Sequence, residues 1–121
     1  MPPVNTGETR ADLVAIVDAT VGALTSTRYG GAVRALLSEI ARNAKPVRRL
    51  RRRLVDARRE ELREVLARGV ARGELRADVD ADAAADFLLG PVYYRLVLAG
   101  RRPDAAFAAS IVDAYLSRNS P

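Results

Sequence analysis

The chain has 121 residues, enough for one domain around one core, and about half are apolar with 29% charged, which is a globular balance. It contains no cysteine and no histidine, so disulfides, His/Cys zinc sites and Ser-His or Cys-His catalysis within this chain are excluded. The formal charge is +5, and of 20 basic residues all but Lys45 are arginine, a bias that follows from coding composition as readily as from phosphate binding.

The opening residues MPPVNTGETR carry no apolar signal region, and residues 1–7 read as an extended arm or linker. Thr6 or Thr9 is placed to cap a first helix over residues 8–25. Leu13, Ile16, Val17, Val21 and Leu24 recur at spacings of three and four, one face of that helix. A second helix is expected over 29–43, with Val33, Leu36, Leu37 and Ile40 inward. Pro46 suits the first position of a third, running to about Arg72. Its apolar stripe is Val47, Leu50, Leu54, Leu62, Val65, Leu66 and Val70. Arg52 and Asp56, and Glu64 and Arg68, lie four apart and are expected to pair on its outer side. Gly73 is the expected C-cap. Asp80 or Asp78 is expected to cap a fourth helix to about Leu98. Pro103 opens a fifth, to Leu116, and the tail 118–121 is expected to fray. No segment alternates at period two. The expectation is an all-α bundle of about five helices, with the folded domain over 8–117.

Four features invite functional readings. Arg48 to Arg59 includes the run RRLRRRL, a candidate nucleic-acid contact. Its simpler reading is a solvated helix face, since carboxylates follow at Asp56, Glu60, Glu61 and Glu64. Arg58 falls where the apolar stripe should continue. It either meets an anionic ligand, pairs with Asp12, Asp18 or Asp86, or reaches out to solvent. Asp78, Asp80 and Asp82 lack the glycine and glutamate of a calcium loop and are better read as helix capping. Gly90-Pro91 interrupts an apolar helix, and proline there removes a backbone hydrogen bond at a cost of about 3 kcal/mol. Leu88, Leu89, Val92, Leu96, Val97 and Leu98 span much of that helix's circumference. A helix apolar all round is buried on more than one side.

The run VLARGVARGELRADVDADAAADFLLGPVYYRLVL, Val65 to Leu98, resembles the C-terminal domain of TetR-type transcriptional regulators. The resemblance rests on Arg72-Gly73-Glu74-Leu75, on Asp78-Val79-Asp80, and on Asp86 through Leu96. DAAFAASIVDAYL, Asp104 to Leu116, resembles the last helix of those domains, and Asn5 to Leu13 their start. The likeness implies a ligand-sensing, homodimerising domain. Nothing in the sequence converges on a nucleophile or metal, so no catalysis and no cofactor are expected, and the lack of a signal region or a membrane-spanning run makes a cytoplasmic location the default expectation. The likeness also implies an intersubunit four-helix bundle from residues 80–98 and 103–116, kinked at Gly90 and Pro91. Leu89, Val92, Tyr93, Leu96, Val97, Phe107, Ser110, Ile111 and Ala114 are the implied interface. It implies an effector cavity among residues 8–72 and part of the fourth helix, with Ile16, Thr20, Leu37, Arg58, Leu62 and Tyr94 as lining candidates. Such a cavity favours an apolar or aromatic effector, with Arg58 adding a preference for an anionic group. The family reads operator DNA through an N-terminal helix-turn-helix, and seven residues before Glu8 are too few to form one. Operator recognition by this chain alone is therefore not expected. A direct nucleic-acid contact through Arg48–Arg59 is the alternative function.

Overall fold

A computed structural model of the chain describes residues 4–26, 35 and 45–121. Among the described residues there are four α-helices and no strand. They are α1 (Thr9–Thr25), α2 (Lys45–Ala71), α3 (Ala81–Tyr93) and α4 (Phe107–Arg118). Tyr94–Leu98 continues α3 as a π-helical segment. The helix expected over 29–43 lies outside the described residues.

The first helix buries Leu13, Ile16, Val17 and Thr20, the stripe set by its spacing. Its cap is not a threonine on the helix itself. Glu8 holds the N-cap position with no side-chain bond. Thr6 Oγ1 instead accepts from the Glu8 N–H at 3.3 Å. The carboxylate of Asp12 reaches back to accept from the Thr6 N–H at 2.8 Å and the Thr6 hydroxyl at 2.7 Å. An acid in the first turn also suits the positive end of the helix dipole.

The second helix is a rod of 27 residues, about 40 Å long at 1.5 Å per residue. Leu62, Val65 and Leu66 are buried. It ends in a Schellman motif: Gly73 has a φ of 77°, Glu74 N–H donates to Gly69 C=O at 2.9 Å, and Gly73 N–H donates to Val70 C=O at 3.0 Å. The following Leu75 folds back over Gly69. A β-carbon at Gly69 would stand 2.7 Å from Leu75 Cδ1 and 2.8 Å from Thr9 Oγ1, so only glycine allows this closeness.

Asp80 caps α3, accepting from the N–H groups of Asp82 and Ala83. Helix continues on both sides of Pro91, as expected. The departure from α-geometry comes just downstream. The Tyr94 N–H is shared between the carbonyls of Gly90 and Pro91. Ala99 N–H then reaches five residues back to Tyr94 C=O at 2.8 Å. A proline and a π-turn are both recognised ways of bending a helix, and here they are adjacent. The last helix starts at Phe107, not Pro103, because Asp104 organises a turn of its own. Its carboxylate accepts from the Ala106 N–H at 3.0 Å. The tail expected to fray is held at Asn119, whose carbonyl accepts from the Arg76 N–H at 2.9 Å.

Leu13, Ile16 and Val17 meet Leu62, Val65 and Leu66, with Leu88 and Val92 of α3 and Val112 and Tyr115 of α4 closing one core. The pairings expected along α2 differ. Arg52 and Asp56 do not pair. Arg68 turns from Glu64 towards the start of the chain, donating to the Val4 carbonyl and standing 4.0 Å from Asp12. Asp12 is fully buried, and a charge there outcompetes an exposed carboxylate one turn away.

Candidate functional site

The effector candidates do not converge on one open space among the described residues. Ile16 and Leu62 are at 0% exposure, so neither touches a space large enough for water. Thr20 is buried, and its hydroxyl donates to Ile16 C=O at 2.8 Å. Arg58 is half-buried and pairs with Glu61 at 3.0 Å, one turn along α2, rather than with Asp12, Asp18 or Asp86. Glu61 wins because it shares the helix face. Burial raises the Tyr93 phenol above its ordinary range while the nearby Arg58 charge acts against that rise. The phenol therefore stays protonated and Arg58 stands within electrostatic reach of it. Tyr94 is 60% exposed, on the outer face of the π segment. Leu37 lies outside the described residues.

The interface candidates divide in two. Leu89 and Val92 are buried in this protomer's own core. Tyr93, Leu96 and Val97 are partly covered. On α4, Ser110 and Ala114 are exposed, Ile111 is partly covered, and Phe107 is buried beneath Arg95, whose guanidinium lies 4.4 Å from the ring centroid. Pro91, Arg95, Asp104, Ala106, Phe107, Ser110 and Ile111 line an open cleft of about 350 Å³ between the two helices.

Phe87 and Leu98 are the residues missing from the expected face. With Tyr94 they form an exposed apolar seam at spacings of seven and four, two turns and then one. Gly90, between them, is exposed, and a β-carbon there would meet nothing within 4 Å. Periodicity could have found this seam, since 87, 94 and 98 share one side. The competing stripe through 88, 89, 92 and 96 is equally apolar, and only the packed core shows which turns inward. The exposed seam runs beside the cleft on α4, whose lining also carries the charged Arg95 and Asp104.

A polar clasp at the chain's start is a second structure that spacing did not reveal. Arg72 donates to Thr9 Oγ1 at 2.9 Å and to Glu74 at 2.8 Å, while Glu74 accepts from the Thr9 N–H at 3.3 Å. Hydrogen bonding from Thr9, then from Arg72, holds the Glu74 carboxyl below its ordinary range. Asp12 Oδ2 and Arg68 Nε are buried beside it without hydrogen bonds among the described residues.

Among the described residues no helix is long and apolar enough to cross a membrane. The family model for the tetracyclin repressor-like C-terminal domain matches residues 3–115. In three dimensions the chain is similar to the crystal structure of the TetR family transcription regulator SCO0332, with a TM-score of 0.79 and 31% sequence identity. That similarity covers 98% of this chain and 65% of the regulator. No curated protein sequence matches.

Proposed function

The chain belongs to the tetracyclin repressor-like C-terminal domain family, and we propose from there that it is the ligand-sensing and homodimerising part of a transcription regulator. Control of DNA binding would pass to a helix-turn-helix head in the third of such a regulator that this chain does not span. The observation that carries the dimer is the two-helix face: Phe87, Tyr94 and Leu98 exposed beside the cleft that runs from Pro91 to Ile111. A stable dimer needs about 800 Å² from each partner, within reach of two adjacent helices. Small residues at Gly90, Ser110 and Ala114 would let two such faces approach closely.

Light scattering at micromolar concentration tests this directly. The expected result is a dimer that Gly90→Arg converts to a monomer with its helix content unchanged, because nothing in the protomer occupies the space beside Gly90. A monomeric wild-type chain would sink the reading. The effector is proposed to be an apolar or aromatic anion that would displace Glu61 from Arg58, beside the protonated Tyr93. A thermal-shift series should show stabilisation by aromatic carboxylates that Arg58→Gln abolishes. Stabilisation by cationic compounds alone would contradict it.

A further inference from the structure

We propose that the N-terminal half of α2 is a sequence-independent docking surface for the phosphate backbone of double-stranded DNA, built from Arg48, Arg49, Arg51, Arg52 and Arg53. All five are exposed, and among the described residues none has an ion pair. At 100° per residue they occupy an arc of about 200° and a rise of about 7.5 Å, a dense cationic band on one short stretch of rod.

The carboxylates that follow do not neutralise this band. Glu61 is held by Arg58, Glu60 by Arg63, and Asp82 pairs with Arg59 at 2.7 Å. Each of those acids is matched by its own arginine further along the helix. Among the described residues, Asp56 is the one acid left close to the cluster. The local excess is therefore larger than the linear order of charges suggests. It also excludes Arg58 and Arg59 from the surface, since both already have partners.

The cluster is badly placed for stability. The first turn of α2 holds no acid, Arg48 closes that turn, and four more arginines follow within the next turn and a half with no carboxylate among them. A sequence chosen for the helix alone would put carboxylates there. The charge fits a partner that supplies the missing anions. Duplex DNA presents one phosphate charge about every 1.7 Å of its axis, and guanidinium binds phosphate in a bidentate fork. An acidic membrane is the poorer match. An interfacial helix needs a continuous apolar face beside its cations, and from Arg48 to Arg53 the sequence has one apolar residue, Leu50.

The test is fluorescence anisotropy of the whole chain with a labelled duplex of arbitrary sequence, between about 50 and 200 mM salt. The wild type should bind, with affinity falling steeply as salt rises, at a log–log slope of about −3 to −4. The variant R48Q/R49Q/R52Q should lose at least about tenfold in affinity at the low-salt end and flatten the slope by about 2 to 3. The variant R101Q/R102Q/R118Q removes the same charge from exposed arginines elsewhere and should lose under about threefold. Circular dichroism should show both folded, with the first melting no lower than wild type. No wild-type binding at low salt overturns the proposal, and so does an equal loss in both variants, which would mean net charge alone. Binding to phosphatidylserine vesicles but not to the duplex would assign the surface to membranes and overturn it too.

Discussion

The two halves of α2 carry similar numbers of arginines and use them in opposite ways. From Arg58 onward each arginine of the helix has a partner: Glu61, Asp82, Glu60, and the Val4 carbonyl with Asp12 for Arg68. That half also buries Leu62, Val65 and Leu66. From Arg48 to Arg53 there are five exposed arginines and no ion pair among the described residues. The same residue type is structural where a carboxylate pairs with it from the same helix face or the next helix, and among the described residues stays unpaired from Arg48 to Arg53 even though Asp56 lies one turn from Arg52. Counting arginines along a sequence cannot separate the two. Knowing where each acid is already engaged does.

The largest test of this contrast is apolar. Leu62→Ala should cost about 2–5 kcal/mol by urea denaturation, since its side chain is fully enclosed. Val55→Ala, with half its surface in water, should stay within about 0.5 kcal/mol. Equal losses would erase the distinction between the halves. Next comes Gly69→Ala. The added carbon must displace Leu75 and Thr9, and a loss of about 1–3 kcal/mol is expected. Gly90→Ala meets nothing within the protomer, so a gain of up to about 1 kcal/mol is expected in a monomeric background. The charge comparison is smaller. Arg59→Gln breaks its contact with Asp82 and should lower stability by about 0.2–1 kcal/mol. Arg52→Gln breaks no ion pair among the described residues and should stay within about 0.5 kcal/mol of wild type. If Arg52→Gln destabilises as much as Arg59→Gln, the N-terminal half has structural ion pairs after all.

The smallest effect is in acid. Glu74 is held below its ordinary value of 4.5 by Thr9 and Arg72. A carboxylate with a depressed folded value stabilises the fold above its unfolded value and loses that contribution as pH falls through the folded one. Melting temperature should therefore decline below about pH 4.5, and Glu74→Gln should flatten part of that decline. An unchanged acid limb in Glu74→Gln would remove the clasp from the account.

Helix positions were legible where local chemistry punctuates the chain. Gly73 and Asp80 set the end of α2 and the start of α3 to within a residue of the expected bounds. The all-α fold and the family followed from the motifs between Val65 and Leu116. The start of α4 was missed because Pro103 is a generic opening signal, whereas the Asp104 turn depends on three-dimensional closure. The proposed association face is legible only in part. A helix apolar on all sides does not reveal which side its own core takes, so periodicity alone does not separate the buried Leu89 and Val92 from the exposed Phe87 and Leu98. Arg68 was misplaced for a related reason. Its partner, Asp12, lies 56 positions away, and no spacing rule reaches that far.

The close seat of Gly69 against Leu75 and Thr9 has a mechanical consequence. Any tilt of α2 about that seat would make its C-terminal end the fulcrum. Arg51 lies 18 residues up the same rod, about 27 Å away. Each degree of tilt at that fulcrum sweeps the arginine end through roughly half an ångström, so a few degrees would carry a guanidinium across the width of a hydrogen bond.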